Sequence, residues 1–136
     1  MKKATAEWVR KAEEDLVLAR QAGRSKPPVH NGVCFHSQQG AEKDLKALLE
    51  ELGLSVPKTH ELDRLRTLLL PYHPTLRGWR RGLTFLTNFA VAIRYPGDNA
   101  TKRQAMTALR WTERVRQLAR SLLGIRPLRA PRKRRP

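Results

Sequence analysis

Cysteine is almost missing from this chain: Cys34 is the only one in 136 residues, so no intramolecular disulfide can form and a reducing, cytoplasmic setting is expected. Long apolar runs are missing too. The longest charge-free apolar-rich stretch, Gly82 to Ile93, has 12 residues, against the roughly 20 a bilayer span requires, and charged sequence follows Met1-Lys2-Lys3 where a secretory signal would turn apolar. No membrane association is therefore expected. Alternating apolar and polar residues do not recur, which argues against a sheet. No glycine-rich phosphate loop occurs, since the isolated glycines fall at helix ends. The four histidines have no i, i+4 pairing, and Cys34 and His36, two apart on a helix, point about 200 degrees apart around its axis. Neither a metal site nor a cofactor is expected.

Acidic residues are scarce in one half only. Residues 1–76 hold 12 Lys/Arg and 10 Asp/Glu, a net +2, whereas residues 77–136 hold 16 Lys/Arg and only Asp98 and Glu113, a net +14. A GC-rich genome would favour arginine over lysine but would not remove the acids. Charge on that scale repels itself and concentrates anions, so the simplest partner is polyanionic: RNA or DNA first, an acidic protein second.

What the chain has in quantity is helical periodicity, in five segments. The first runs from about Thr5 to Ala22 with Trp8, Ala12, Leu16 and Ala19 inward, and Gly23 and Lys26-Pro27-Pro28 end it. The second begins after His30-Asn31-Gly32 and ends at Gly53. Thr59 is the expected N-cap of a short third helix with Leu62, Leu65 and Leu69 inward, bracketed by Pro71 and Pro74. A long fourth helix is expected from Thr75, burying Leu76, Trp79, Leu83, Leu86, Ala90 and Ile93. After the turn Tyr95-Pro96-Gly97-Asp98, Asp98 or Asn99 is expected to cap a fifth helix that buries Ala105, Ala108, Leu109, Thr112, Val115, Ala119 and Leu122 and stops at Gly124. Short connections make neighbours antiparallel, so the expected fold is all-α, an up-and-down bundle of four long helices plus one short helix. It divides into a helical domain, residues 1–124, and a basic tail, residues 125–136, with six cations, three prolines and no acid, which composition predicts to be disordered.

The second helix carries the most information. Cys34, Ala41, Leu45, Leu48 and Leu52 form its apolar stripe, and Phe35, Gln39, Glu42, Lys46 and Leu49 form a mixed stripe beside it. The string Phe35-His36-Ser37-Gln38-Gln39-Gly40-Ala41-Glu42-Lys43-Asp44-Leu45-Lys46-Ala47-Leu48-Leu49 resembles the signature of the HEPN family. The likeness continues in Trp8, Ala12, Asp15-Leu16 and Ala19 before it, Thr59-His60-Glu61-Leu62 after it, and Arg94-Tyr95-Pro96 before the last helix, over roughly residues 4 to 123.

That resemblance implies a helical bundle, often dimeric, and in several members a metal-independent ribonuclease built on an Arg-x4–6-His motif. Such chemistry needs a base near neutral pKa beside a fixed cation that meets developing negative charge. At the matching place this chain has Arg94 but Asn99 at the x4 position, and an amide takes no proton at neutral pH. A literal Arg-x6-His pair, Arg66 and His73, lies upstream of the family's usual place. Asp15, His36, Gln39, Glu42 and Tyr95, with Arg94, are expected to form a polar cluster that either fixes helix register or binds a base or phosphate. His60 belongs to the start of the third helix. Arg77, Arg80, Arg81, Lys102, Arg103, Arg126, Arg129, Arg132, Lys133, Arg134 and Arg135 are the expected phosphate contacts. The reading is an RNA-binding protein, the toxin-like partner of a minimal nucleotidyltransferase antitoxin as the resemblance implies, with a degenerate ribonuclease motif. Its alternatives are an active metal-independent ribonuclease and a non-enzymatic adaptor for an acidic partner.

Overall fold

A computed structural model describes residues 1–91, 93 and 95–126. Every regular element among them is helical: α1 (Lys3–Arg24), α2 (His30–Glu51), α3 (Leu62–Leu69), a 3-10 turn (Pro74–Trp79), α4 (Arg80–Thr87), a second 3-10 turn (Asn88–Ala90) and α5 (Lys102–Leu122). The expected all-helical bundle is what the chain forms. Helix α2 is its axis, packed against α1 on one side and α5 on the other, with α3 and α4 closing the remainder. Cys34, Ala41, Leu45, Leu48 and Leu49 of α2 meet Leu62, Leu65 and Leu69 of α3, Leu83 and Leu86 of α4, and Ala105, Ala108, Val115 and Ala119 of α5 in one core. Burial pushes the Cys34 thiol up to about 11, so it stays protonated and inert at neutral pH.

Glycine sets two of the crossings. A Cβ on Gly40 would sit 3.3 Å from the Thr112 hydroxyl and 3.5 Å from the Ala12 carbonyl, so α1, α2 and α5 meet at this point. On Gly82 it would fall 2.3 Å from the Trp111 ring, so only glycine lets α4 lie against α5 there. Helices α2 and α5 both end in Schellman turns: Gly53 and Gly124 adopt φ of 73° and 72°, and the next residues, Leu54 and Ile125, donate back to Leu49 and Arg120.

Five boundaries differ from the sequence expectation, the first being the end of α1, which runs through Gly23 to Arg24 and stops at Ser25, ahead of Lys26-Pro27-Pro28. Helix α2 starts at His30, not after Gly32: Gly32 continues the helix because its bare Cα fits against Ala22 and Val29. Helix α3 starts at Leu62 with Glu61 as N-cap, while the Thr59 hydroxyl accepts from the Glu61 amide in a turn before it. The fourth segment is not one long helix; Pro74 and Gly78 favour a tight 3-10 turn before α4, and a second 3-10 turn follows Thr87. Finally, Thr101 caps α5 in place of Asp98 or Asn99, in a capping box with Gln104: Thr101 Oγ1 accepts from the Gln104 amide at 3.1 Å and Gln104 Oε1 from the Thr101 amide at 2.9 Å.

Candidate functional site

Helix α2 buries far more polarity than a structural helix needs: Ser37, Gln38, Glu42, Asp44 and Lys46 are all inside. These groups sort into two networks where the sequence suggested one cluster. In the first, Asp15 of α1 accepts from His36 Nδ1 at 2.9 Å and takes Lys43 Nζ on its other oxygen. In the second, Glu42 is held by Lys46 Nζ at 3.0 Å, His60 Nδ1 at 2.7 Å and Gln38 Nε2 at 3.2 Å, and Gln39 Nε2 donates to Gln38 Oε1 at 2.6 Å. Gln38 also donates to the His60 backbone carbonyl, which ties α2 to the chain entering α3. Lys46 finally lies 5.7 Å from the centre of the Trp8 ring. Asp15 and Glu42 are therefore fully engaged. Tyr95 joins neither network; it is 71% exposed, and Arg94 lies outside the described residues.

At the site of the expected Arg-x4-Asn motif, Asn99 is anchored to the start of α2. The Asn31 amide donates to Asn99 Oδ1 at 3.4 Å, and Asn31 Oδ1 accepts from the Ala100 amide at 2.7 Å. This asparagine bridge fixes the loop leading into α5. The Arg66 guanidinium is buried, bonded to Asp63 Oδ1 at 2.6 Å and to the Arg77 carbonyl at 3.3 Å, where it joins α3 to the 3-10 turn. Burial lowers the pKa of His73 and favours its neutral form.

Most described cations of the second half face outward, Arg116 and Arg120 being the half-buried exceptions. Arg77, Arg80, Arg81, Lys102, Arg103 and Arg126 are exposed, and of these only Arg80 comes near an acid, Asp63 at 3.7 Å. Lys102 also stands with Arg20, Arg24 and His30 at a cleft of about 300 Å³ that Val33, Met106 and Leu109 help to line. Arg129, Arg132, Lys133, Arg134 and Arg135 lie outside the described residues.

Comparison with known proteins agrees with this architecture. The family model for the HEPN domain matches residues 5–122. The chain belongs to the HEPN family. The crystal structure of an archaeal HEPN homologue is similar to this HEPN chain with a TM-score of 0.72 and 27% identity, over 90% of this chain and 99% of that one. A search of curated proteins finds no match. Among the described residues of this HEPN domain, no helix is long and apolar enough to cross a membrane.

Sequence reasoning missed three features of the HEPN bundle. Lys43 was read as part of the signature, yet it is the second cation on Asp15; its i+7 spacing from His36 was the available signal. Asp44 sits inside with Oδ1 unbonded, and burial foremost, then the charge of Glu13, pushes its carboxyl up to about 8 against the pull of Arg116 and Arg120. Those arginines are themselves bonded to Glu13, at 2.7 and 3.4 Å. The third feature is aromatic. Trp79 and Trp111 meet edge to face with ring centres 6.0 Å apart, and the Arg114 guanidinium lies 5.0 and 4.5 Å from the two rings. Nothing in the sequence signals that pairing, because it joins two segments 32 residues apart.

Proposed function

We propose that this HEPN protein acts by binding RNA through phosphate contacts that do not discriminate bases, and that it serves as the toxin-like partner of a small nucleotidyltransferase-type protein. The observation carrying the RNA reading is the exposed cation set Arg77, Arg80, Arg81, Lys102, Arg103 and Arg126, of which only Arg80 has an acid near it, in a half-chain of net charge +14. Arg94, Arg129, Arg132, Lys133, Arg134 and Arg135 belong to the same proposal from sequence. The nucleotidyltransferase partner rests on family membership, and copurification with such a protein expressed alongside tests it.

Cleavage of RNA by this chain alone is slow in this reading. Attack by the ribose 2′-hydroxyl on phosphorus needs a group to take its proton, and the Asn99 amide has no such capacity. Three of the four histidines are otherwise disposed: His36 is bonded to Asp15 and His60 to Glu42, while the Arg66 that precedes His73 is occupied by Asp63 and the Arg77 carbonyl; the fourth, His30, begins α2 and belongs to neither the Arg94 nor the Arg66 motif. The two α2 networks accordingly act to fix helix register, not to turn over substrate.

The test compares wild type, Asn99→His, Arg94→Ala and His73→Ala on single-stranded RNA in chelator. Loss of proton transfer costs about 100- to 10,000-fold in rate, so wild type should cleave weakly and Asn99→His should cleave faster. Robust wild-type cleavage abolished by His73→Ala would replace this reading with a ribonuclease centred on Arg66 and His73.

A further inference from the structure

We propose that Trp79, Trp111 and Arg114 form a base-stacking platform that gives this protein affinity for the bases of single-stranded RNA, beyond its attraction for phosphate. This rests on the RNA-binding reading and adds to it a contact that the cation set alone does not supply.

The platform follows from one backbone approach. Gly82 has no Cβ, so the Trp111 ring lies directly on the α4 backbone. That contact brings the start of α4, with Arg80 and Arg81 beside it, against the middle of α5, where Arg110 and Arg114 flank Trp111 in sequence. Trp79 and Trp111 are each partly exposed and meet edge to face, which leaves ring surface outside the core. Arg114 is exposed and lies over both rings. Its guanidinium is planar and apolar on its faces, so the face turned from the tryptophans can take a base, as the rings can wherever they are uncovered. Arg77, Arg80, Arg81 and Arg110 surround the aromatic pair in sequence and are all exposed, so a phosphate backbone approaching them carries its bases toward the rings. The partner is single-stranded, because bases in a duplex keep their faces covered.

The experiment titrates the full chain with three 12-nucleotide probes: oligoadenylate, oligouridylate and an abasic ribose-phosphate oligomer of the same charge. Stacking predicts affinity in the order adenylate, uridylate, abasic, with at least about a fivefold gap between first and last, the lower end of the effect of one stacked base. Arg114→Lys keeps the charge and loses the plane, so it should shrink the adenylate-to-abasic ratio. Trp79→Leu should shrink it too. Arg103→Gln, remote from the rings in sequence, should weaken all three probes alike and leave the ratio in place. In a Trp8→Phe background, quenching of the remaining tryptophan fluorescence should saturate with adenylate binding, and circular dichroism should report an intact helical fold for each variant. Equal affinity for adenylate and abasic probes, or an unaltered ratio in folded Arg114→Lys, overturns the platform and leaves phosphate binding standing. Absence of binding to all three probes overturns both.

Discussion

At the scale of single residues, the most unusual group is Asp44. Its carboxyl is 3% exposed and has one oxygen without a hydrogen bond, so the protonated form is favoured up to about pH 8. In the unfolded chain the same group loses its proton near 3.8. Between about pH 4 and pH 8 the folded protein therefore binds the extra proton, and stability falls as pH rises through that window. Asp44→Asn removes this dependence. The variant should match wild type near pH 4 and exceed it by on the order of 5 kcal/mol at pH 8, read from denaturant unfolding at each pH. Parallel curves for the two proteins would show that Arg116 and Arg120 already hold Asp44 ionised in spite of its burial and of Glu13. Asp15 and Glu42 contrast with it, since each is surrounded by cationic or neutral donors on both oxygens.

Among the elements, α5 has the best-defined start, and its capping box accounts for it. Thr101→Ala removes the acceptor for the Gln104 amide and should cost about 1 kcal/mol, lowering the thermal midpoint by about 3 °C; a change below 0.3 kcal/mol would mean that the Asn31–Asn99 bridge holds the helix start without the cap. The inward stripes of α1, α2, α3 and α5 were legible because apolar spacing alone decides them: Ala12, Leu16 and Ala19, or Cys34, Ala41, Leu45 and Leu48, read the same in sequence and in the core. The start of α5 was not, because Asn99 and Thr101 are both good caps in isolation and only the distant Asn31 claims Asn99 and the Ala100 amide. Helix four was misread as continuous for a related reason, since the stripe Leu76, Leu83 and Leu86 survives the change from 3-10 to α geometry. For the candidate site, Asp15 with His36 was legible from the signature, whereas its division from Glu42 was not, because His60 reaches Glu42 from another segment.

For the molecule as a whole, charge and assembly are linked. We propose a two-fold dimer on family membership alone, since Glu42, Lys46 and Leu49 of the mixed α2 stripe are already buried within one chain, and we expect the basic faces to point outward or to line a cleft that an anion fills. Light scattering in moderate salt should give twice the chain mass, and one chain mass across micromolar concentrations would remove the dimer. The charge division between residues 1–76 and 77–136 is the feature the functional account depends on most. It is tested most directly by the affinity for a single-stranded RNA, followed by anisotropy as salt is varied, for the full chain and for a variant lacking residues 125–136. Each neutralised phosphate contributes about −0.7 to the log–log slope. The account predicts a steep slope for the full chain, flattened by several units in the deletion, with all sequences weakened alike. A flat slope for the full chain, or no binding, would contradict it.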